Sequence, residues 1–274
     1  MPELPEVETI TRALSASLTG KHFTAIKTFI AAIRYPLDLE NRPELVGQKI
    51  ISVRRRARYI IIELKNRWAF VMHLGMSGAI RIVPADEPKR KHDHVFFHLS
   101  DGMTMRYECP RRFGFIKTCL LDAPGAHPSV LVNLGVEPLS DEFTPDYLYN
   151  NLQKRSMPVK NAIMDNKIVV GVGNIYAAES LFLCGISPLR KASTVTKAQC
   201  VKMVKIIKEV LKRSIEAGGT TISDYKQVDG SEGKFVQQLK MYGKDGQPCP
   251  ECGTIVQKAV LGGRSSCFCP KCQK

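Results

Sequence analysis

Apolar residues recur along this chain with two different spacings, and the spacing changes near residue 135. Between residues 3 and 18, Val7, Ile10, Leu14 and Leu18 follow one another at helical intervals, and Gly20 comes next as a stop signal. Short apolar or alternating runs then occupy residues 59–64, 68–74, 79–83, 95–99, 103–107 and 113–121. Glycine, proline and aspartate separate these runs, so the pattern predicts a leading amphipathic helix followed by a β-sandwich.

Beyond the segment 134–140 the pattern becomes helical, which marks a domain boundary. We predict helices over residues 145–153, 159–165, 174–183 and 196–217. In the last of these an apolar stripe that includes Met203 and Ile207 predicts a buried face, and most of its lysines lie elsewhere, as on a solvated face. Gly218 and Gly219 end this helix, and a polar, glycine-containing stretch to Gly233 predicts a mobile loop.

The net charge of the chain indicates which class of molecule it binds. Among 274 residues, 40 Lys and Arg against 26 Asp and Glu give a formal charge of +14, an excess that suits a polyanion such as nucleic acid. Solvated lysine-rich surfaces are the alternative explanation. The sequence shows no apolar stretch of membrane-spanning length and no signal-peptide pattern, so we expect no membrane association and a location in the cytoplasm or nucleoid.

Four of the nine cysteines form two C-x-x-C pairs, Cys249 with Cys252 and Cys269 with Cys272. Two such pairs separated by 16 residues are typical of a tetrahedral, closed, structural zinc site. Disulfides are the alternative. Cys267 does not fit the spacing, and the remaining cysteines are expected to be ordinary small apolar residues: Cys109, Cys119, Cys184 and Cys200.

Two further features suggest chemistry. The turn 165–174 carries Gly171 and Gly173 and ends at Asn174 where a helix begins, so backbone N–H groups there suit phosphate, although such turns often merely reverse the chain. At the start, removal of Met1 would make Pro2 a secondary amine able to form an iminium with an aldehyde-level carbon. The local alternative for Pro2 is a proline that occupies the first position of a helix.

Five segments together resemble the bacterial formamidopyrimidine-DNA glycosylase family over the whole chain. They are, in order, MPELPEVE at the start, HLGMSG at 73–78, PRRFG at 110–114, MDNKIVVGVGNIYAAES at 164–180, and the terminal cysteine pairs. The resemblance implies repair of oxidised purines such as 8-oxoguanine and formamidopyrimidines by a bifunctional glycosylase and abasic-site lyase.

The resemblance also implies roles for catalytic residues. Pro2 would attack C1′ of the damaged nucleotide, Glu3 would donate or shuttle the proton, and Glu6 would be the supporting carboxylate. Arg264, between the cysteine pairs, matches an arginine that holds phosphate and is assigned to δ-elimination. From local sequence alone Arg264 would be a solvated loop residue, and Glu3 and Glu6 would be acids favoured by a helix N-terminus.

For binding, the resemblance implies DNA contacts through six residues: His73, His92, Arg111, Arg155, Lys160 and Asn174. Met76, Arg111 and Phe113 match the residues that fill the gap left by an extruded nucleotide. Local sequence would instead place Met76 and Phe113 in the core. The loop 220–234 corresponds to the segment that closes over the extruded purine.

Two positions depart from the family pattern. Arg58 stands where the family has a lysine assigned to β-elimination, and an arginine is a poor proton donor because its pKa exceeds about 12. Arg54, Arg55 and Arg56 are not expected to replace it, since their neighbouring strand positions point elsewhere. Cys109 stands where the family usually has aspartate, which leaves the orientation of Arg111 open, with Glu108 as a possible compensating carboxylate.

We therefore expect an α+β multidomain protein. The predicted domains are a catalytic β-sandwich domain over 1–135, a helix-two-turn-helix DNA-binding domain with the lesion-recognition loop over 136–235, and a zinc-finger β-hairpin over 236–274. The expected state is a monomer with one structural zinc, acting on damaged double-stranded DNA. An endonuclease VIII-like pyrimidine enzyme and a lesion-binding protein with impaired lyase activity are the alternatives.

Overall fold

The computed structural model describes residues 1–222 and 227–274, which form two compact units. The first unit comprises Met1–Val132 and Ala217–Val236, and the second comprises Asn133–Glu216 and Gln237–Lys274. The predicted domain boundaries after residues 135 and 235 lie near two of these divisions. The grouping of 217–236 with the first unit was not anticipated, and the three-domain division stays a prediction.

The first unit contains one α-helix and eight strands within the described residues. They are α1 (Leu4–Leu18), β1 (Phe23–Thr28), β2 (Ile50–Arg56), β3 (Tyr59–Leu64), β4 (Trp68–His73), β5 (Ala79–Pro84), β6 (Asp93–Leu99), β7 (Met103–Glu108) and β8 (Phe115–Leu120). Two four-stranded antiparallel sheets result, with strand orders β1-β6-β7-β5 and β2-β3-β4-β8. The predicted β-sandwich with a leading helix is confirmed.

The core of this unit lies between the two sheets and under α1. Phe23, Phe70 and Phe97 meet there with ring centroids 5.2–5.5 Å apart, an arrangement that aromatic side chains favour. The apolar face of α1 is buried in the same cluster. This burial accounts for the helical spacing of the apolar residues at the start of the chain. The helix packs on β2 and β3, so its first turn is held by the sandwich.

The second unit contains four helices and two strands within the described residues. They are α2 (Pro145–Gln153), α3 (Val159–Ile163), α4 (Asn174–Cys184), α5 (Lys197–Glu216), β9 (Gln257–Leu261) and β10 (Arg264–Phe268). Helix α4 is buried on nearly every side, whereas α5 buries one face, which contains Met203 and Ile207 of the predicted stripe. Most lysines of α5 are exposed, as the solvated-face interpretation predicted.

Strands β9 and β10 form the predicted hairpin at the end of the chain, with Arg264 paired to Leu261. Its two-residue turn consists of Gly262 and Gly263, whose φ angles of 55° and 73° suit a tight hairpin turn. Across the described residues, no helix has the length and apolar character needed to cross a membrane.

Candidate functional site

The start of α1 gathers the residues predicted to be catalytic. Glu3 is the N-cap residue, and it exchanges hydrogen bonds with Glu6 in a capping box, with Glu3 N donating to Glu6 Oε2 at 2.8 Å. Pro2 is buried and lies before this N-cap, so the interpretation of Pro2 as the first helical residue is wrong. Met1, which precedes it, is 49% exposed. The amine that would follow Met1 removal therefore lies next to two buried carboxylates.

The same Glu6 carboxylate also holds the loop that follows α5. Thr220 N donates to Glu6 Oε1 at 2.8 Å, so one side chain accepts from two backbone segments. The two ends of this loop pair with each other at Thr220 and Lys234, and Gly233 N donates to Thr221 Oγ1 at 2.8 Å. Of the predicted lesion-recognition loop 220–234, residues 223–226 lie outside the described residues.

Arg58 lies in the two-residue turn between β2 and β3, beside Ala57, whose φ is 54°. Its half-buried guanidinium has an Nε atom without a hydrogen-bond acceptor among the described atoms. Arg54 pairs instead with Glu63 at 3.7 Å, and Arg55 pairs with Glu8 at 2.8 Å. These contacts agree with the expectation that the neighbouring arginines do not replace Arg58.

His73, at the end of β4, is a neutral side chain at physiological pH. Burial, reinforced by the positive charges of Arg58 and Arg34, lowers the pKa of His73 to about 4. Its Nδ1 accepts a hydrogen bond from Gly75 N at 3.1 Å, and its ring stacks on Phe115. In the protein without DNA, His73 is therefore a neutral N–H donor and not a cation.

Met76 and Phe113 lie on the surface, so the core interpretation of these two residues is wrong. They are 40% and 50% exposed, and the guanidinium of Arg111 lies 5.1 Å from the Phe113 ring centroid. Gly75 explains why the two loops approach each other: a Cβ there would lie 2.5 Å from the Phe113 carbonyl carbon. Exposed apolar side chains beside an arginine suit insertion into a base stack.

His92 and His94 bracket a buried aspartate at the start of β6. Cys109 N donates to the His92 carbonyl at 3.1 Å, and the His94 ring lies 3.1 Å from the Cys109 carbonyl. His94 is buried, and this burial lowers its pKa, whereas His92 is half-buried. The backbone of Cys109 therefore contacts the segment around His92. This contact requires no carboxylate side chain at position 109.

A network of charges that the sequence did not indicate lies beneath the same segment, and all of its members except Glu87 are buried. Arg81 binds both carboxylate oxygens of Asp93, at 2.9 and 3.0 Å, and one oxygen of Glu87 at 2.8 Å. Arg106 lies 3.5 Å from Asp93 and donates to the backbone carbonyls of Pro88 and Glu87. We call these four residues, Arg81, Glu87, Asp93 and Arg106, the arginine network.

The carboxylate of Glu108 belongs to the edge of this network. Its Oε2 lies 3.8 Å from Arg81 Nε, so Glu108 is oriented toward Arg81, and its predicted compensation at Arg111 stays untested. Arg81, Glu108 and Arg111 line one cleft of about 800 Å³, together with residues 227–230 of the loop that follows α5. The first unit therefore presents an open, mixed-charge cleft beside the residues predicted to enter the base stack.

In the second unit, Lys160 is 1% exposed and contacts the terminal hairpin. Its Nζ donates to Asn174 Oδ1 and Ser266 Oγ at 2.6 Å each, and to the Ser265 carbonyl at 3.2 Å. Asn174 lies at the start of α4, as predicted, and also donates to the Ser265 carbonyl, at 3.1 Å. Lys160 and Asn174, both predicted to contact DNA, thus hold strand β10.

Arg155 and Arg264 are the remaining predicted residues of this unit. Arg155 lies 3.7 Å from Asp165, with both side chains partly exposed, so the ion pair can be exchanged for a phosphate contact. Arg264 begins β10 and is exposed. It lines a cleft of about 280 Å³ with Lys160, Asn161 and Asp165 among others.

The four predicted metal ligands form a compact cluster. All four Sγ atoms of Cys249, Cys252, Cys269 and Cys272 lie within 4.8 Å of one another, and two of the distances are 3.5 and 4.0 Å. A tetrahedron with Zn–S bonds of about 2.3 Å has sulfur atoms about 3.8 Å apart, so the cluster fits zinc. Disulfides need about 2.05 Å between sulfur atoms, and all nine cysteines are free.

The thiols of the cluster differ in pKa, so a bound metal would compete with protons for some of them. Hydrogen bonds from Thr254 lower the pKa of Cys252 to about 6, and a hydrogen bond to the Cys252 thiolate raises the pKa of Cys272 to about 12. Zinc binding near neutral pH must therefore displace protons, and its affinity rises with pH. This fourfold thiolate site is closed, as a structural zinc requires, and contributes to folding.

Three family models match consecutive parts of the chain. The formamidopyrimidine-DNA glycosylase N-terminal domain matches residues 1–116, the formamidopyrimidine-DNA glycosylase H2TH domain matches 134–226, and a zinc finger found in FPG and IleRS matches 246–274. Together they span both units and agree with the predicted architecture of sandwich, helical segment and zinc finger.

Full-length relatives give the same result. The formamidopyrimidine-DNA glycosylase of Serratia proteamaculans (strain 568) is 47% identical over 274 residues, which cover 100% of both chains. A Lactococcus lactis FPG variant, solved with a Fapy-dG containing DNA, is 30% identical with a TM-score of 0.89 and covers 100% of both chains. MutM in complex with carbocyclic 8-oxo-G containing DNA is also 30% identical, with a TM-score of 0.87 and the same coverage.

Proposed function

The chain belongs to the formamidopyrimidine-DNA glycosylase family, and from this premise we propose that it excises oxidised purines from double-stranded DNA and then cleaves the strand as an abasic-site lyase. The observation that carries the proposal is the start of α1, where a buried Pro2 directly precedes the capping box of Glu3 and Glu6. The solved relatives bound to Fapy-dG and carbocyclic 8-oxo-G DNA support the choice of damaged purines.

The first chemical step needs a nucleophile and a proton donor. After Met1 is removed, the Pro2 nitrogen forms a bond to C1′ while the glycosidic bond breaks and its electron pair leaves with the base. Loss of the amine proton and opening of the sugar ring, whose O4′ takes up a proton, give an iminium. Glu3 is the proposed proton carrier for this step because it lies next to Pro2, and Glu6 holds the Glu3 backbone in place.

The iminium makes two further bonds breakable. It acidifies the C2′ proton, and loss of that proton expels the 3′ phosphate in β-elimination. Loss of the C4′ proton then expels the 5′ phosphate in δ-elimination, for which Arg264 is the proposed phosphate-binding residue. Water finally releases Pro2 from the sugar fragment, so the overall reaction needs no external oxidant or reductant.

DNA binding is proposed to use both units. His73, His92 and Arg111 on the first unit, and Arg155, Lys160 and Asn174 on the second, are the proposed phosphate-side contacts. Met76, Arg111 and Phe113 are proposed to fill the gap that the extruded nucleotide leaves, since all three are exposed. A monomer acting on nucleoid DNA in the cytoplasm completes the proposal, and a charge of +14 favours that polyanion.

Borohydride trapping on a duplex containing 8-oxoguanine tests the proposal. Borohydride reduces the iminium, so the native protein should become covalently joined to DNA and the Pro2→Gly variant should be trapped far less. Pro5→Gly is the matched control, because Pro5 is a second proline in the same segment that lies inside α1. Mass measurement establishes whether Met1 is absent in each preparation.

The possible results separate the alternatives. An adduct that forms preferentially with an oxidised pyrimidine would overturn the assignment to purines. Binding to lesion DNA without any adduct, from protein that has lost Met1, would overturn the catalytic role and leave a lesion-binding protein.

Arg58 is proposed to slow β-elimination, because a guanidinium holds phosphate well and transfers protons poorly. Arg58→Lys should accelerate that step by about tenfold or more, within the range of general acid–base catalysis. Single-turnover measurement on a preformed abasic site isolates the step from base excision. If Arg58→Lys is no faster than the native protein, the arginine carries no such penalty.

A further inference from the structure

Lys160 joins three elements of the second unit at one buried point. Its ammonium group, on α3, contacts Asn174 at the start of α4 and both Ser265 and Ser266 on β10. Lys160 and Ser266 are each 1% exposed, so these hydrogen bonds are shielded from water. We call Lys160, Asn174, Ser266 and the Ser265 carbonyl the lysine clamp.

The lysine clamp lies immediately next to Arg264 along the chain. The Ser265 carbonyl and the Ser266 hydroxyl belong to the first and second residues after Arg264. On the other side, a Cβ on Gly262 would lie 2.5 Å from Asn161 Nδ2, so the hairpin turn packs tightly on α3 as well. The backbone is thus held on both sides of Arg264, whereas the Arg264 side chain is exposed.

The position of this backbone matters because the Arg264 guanidinium must contact one particular phosphate. Hydrogen bonds from a charged donor are stronger than those between neutral groups, and a misplacement of about 1 Å at a reacting centre can reduce a rate about a hundredfold. Two bonds of 2.6 Å from one ammonium group therefore restrict the position of β10.

We propose that Lys160 and Ser266 are positioning residues that place the Arg264 guanidinium for δ-elimination. Lys160 acts through Ser265 and Ser266, in addition to any effect of its charge on DNA. The proposal rests on the proposed function, in which Arg264 assists departure of the 5′ phosphate. It predicts that loss of the Ser266 hydroxyl lowers the second elimination and spares formation of the iminium at Pro2.

The test compares adjacent serines. Ser266→Ala removes the hydroxyl that accepts from Lys160, whereas Ser265→Ala keeps the carbonyl through which Ser265 joins the clamp. Each variant is given a duplex with a preformed abasic site, and the β-product, with its 3′ unsaturated aldehyde, is separated from the δ-product, with its 3′ phosphate. We expect Ser266→Ala to lower the δ-to-β ratio about tenfold, with borohydride trapping within about twofold of native, and Ser265→Ala to keep the native ratio.

Lys160→Arg distinguishes positioning from charge. Arginine keeps the positive charge but its planar fork does not reproduce three bonds from one ammonium group. Positioning predicts a lower δ-to-β ratio, whereas a role limited to phosphate attraction predicts the native ratio. The salt dependence of DNA binding should be unchanged in Ser266→Ala, since no charge is lost.

Three results would overturn the proposal: a native ratio in Ser266→Ala, a native ratio in Lys160→Arg, or equal losses of trapping and δ-product. Zinc content of each variant verifies that the finger has kept its metal. Failure of the proposed function would look different, because the native protein itself would then form no borohydride adduct.

Discussion

The arginine network of the first unit and the lysine clamp of the second place buried cations in opposite chemical settings. The arginine network pairs two guanidinium groups with two carboxylates, Glu87 and Asp93. In the lysine clamp, one ammonium group donates to an amide oxygen, a hydroxyl and a carbonyl. Both hold backbone next to a residue proposed to bind DNA, namely His92 and Arg264.

The comparison shows that positive charge in this chain has two uses. Arg81, Arg106 and Lys160 are each less than a tenth exposed, and they fix protein segments. Arg111 and Arg264 are exposed and are available to phosphate. The formal charge of +14 therefore includes Arg81 and Arg106, which hold protein segments and have no proposed contact with DNA.

The largest expected effect is that of Asp93→Asn in the arginine network. Loss of one carboxylate from a buried ion pair leaves charge uncompensated, so we expect the free energy of unfolding to fall by about 3–5 kcal/mol. Denaturant unfolding followed by fluorescence of Trp68, which is the chain's one tryptophan and lies in the same unit, measures this loss.

Asp101→Asn is the matched control for that experiment. Asp101 pairs with Lys21 across a surface where both side chains are about one third exposed, so its loss should cost no more than about 1 kcal/mol. Equal effects of Asp93→Asn and Asp101→Asn would mean that burial does not strengthen the arginine network.

His73 provides the next effect, since it is a partly buried basic group whose neutral form is favoured. Its pKa is lowered from 6.5 to about 4, so the unfolded chain binds more protons than the folded protein between these values. Stability should fall as pH drops from about 6.5 to 4, by up to about 3 kcal/mol from this group. Unfolding at pH 7 and pH 4 should show a smaller pH dependence in His73→Gln, and an unchanged dependence would contradict the neutral state.

Lys160→Met should have the smallest effect on stability of the three. It leaves neutral acceptors without their donor, which costs about 1–3 kcal/mol and less than an orphaned buried charge. Hydrogen exchange of the β10 amides and thermal unfolding measure this loss. A loss as large as that in Asp93→Asn would remove the energetic distinction between the lysine clamp and the arginine network.

Regular elements were predictable where apolar spacing was clear, and less so where arginine alternated with apolar residues. α1 and α5 were found within about one residue of their ends, because a single face of each is apolar. β2 was missed, since its sequence IISVRRR ends in three arginines whose partners come from other elements. Glu8 and Glu63, which bind Arg55 and Arg54, lie in α1 and β3.

The candidate site shows the same limit. The family resemblance assigned roles to Pro2, Glu3 and Arg264 by residue number, whereas the spacing of the two cysteine pairs predicted the zinc ligands, and the thiol cluster fits that metal. Local sequence misplaced Met76 and Phe113, because exposed apolar residues on loops follow no periodic pattern. The lysine clamp was beyond sequence reasoning, since Ser266 lies 106 residues after Lys160 and nothing in either segment marks the other.

The double acceptor at Glu6 has a consequence for how this chain can vary. Its two oxygens receive the backbone N–H groups of Glu3 and Thr220, which are separated by more than two hundred positions. Because Thr220 contributes main-chain atoms to this contact, the contact itself tolerates other side chains at 220. Position 6 has no such latitude, since a shorter side chain would release both segments and glutamine, which has a single acceptor oxygen, would release one of them. We therefore expect related sequences to vary at position 220 and to keep glutamate at position 6.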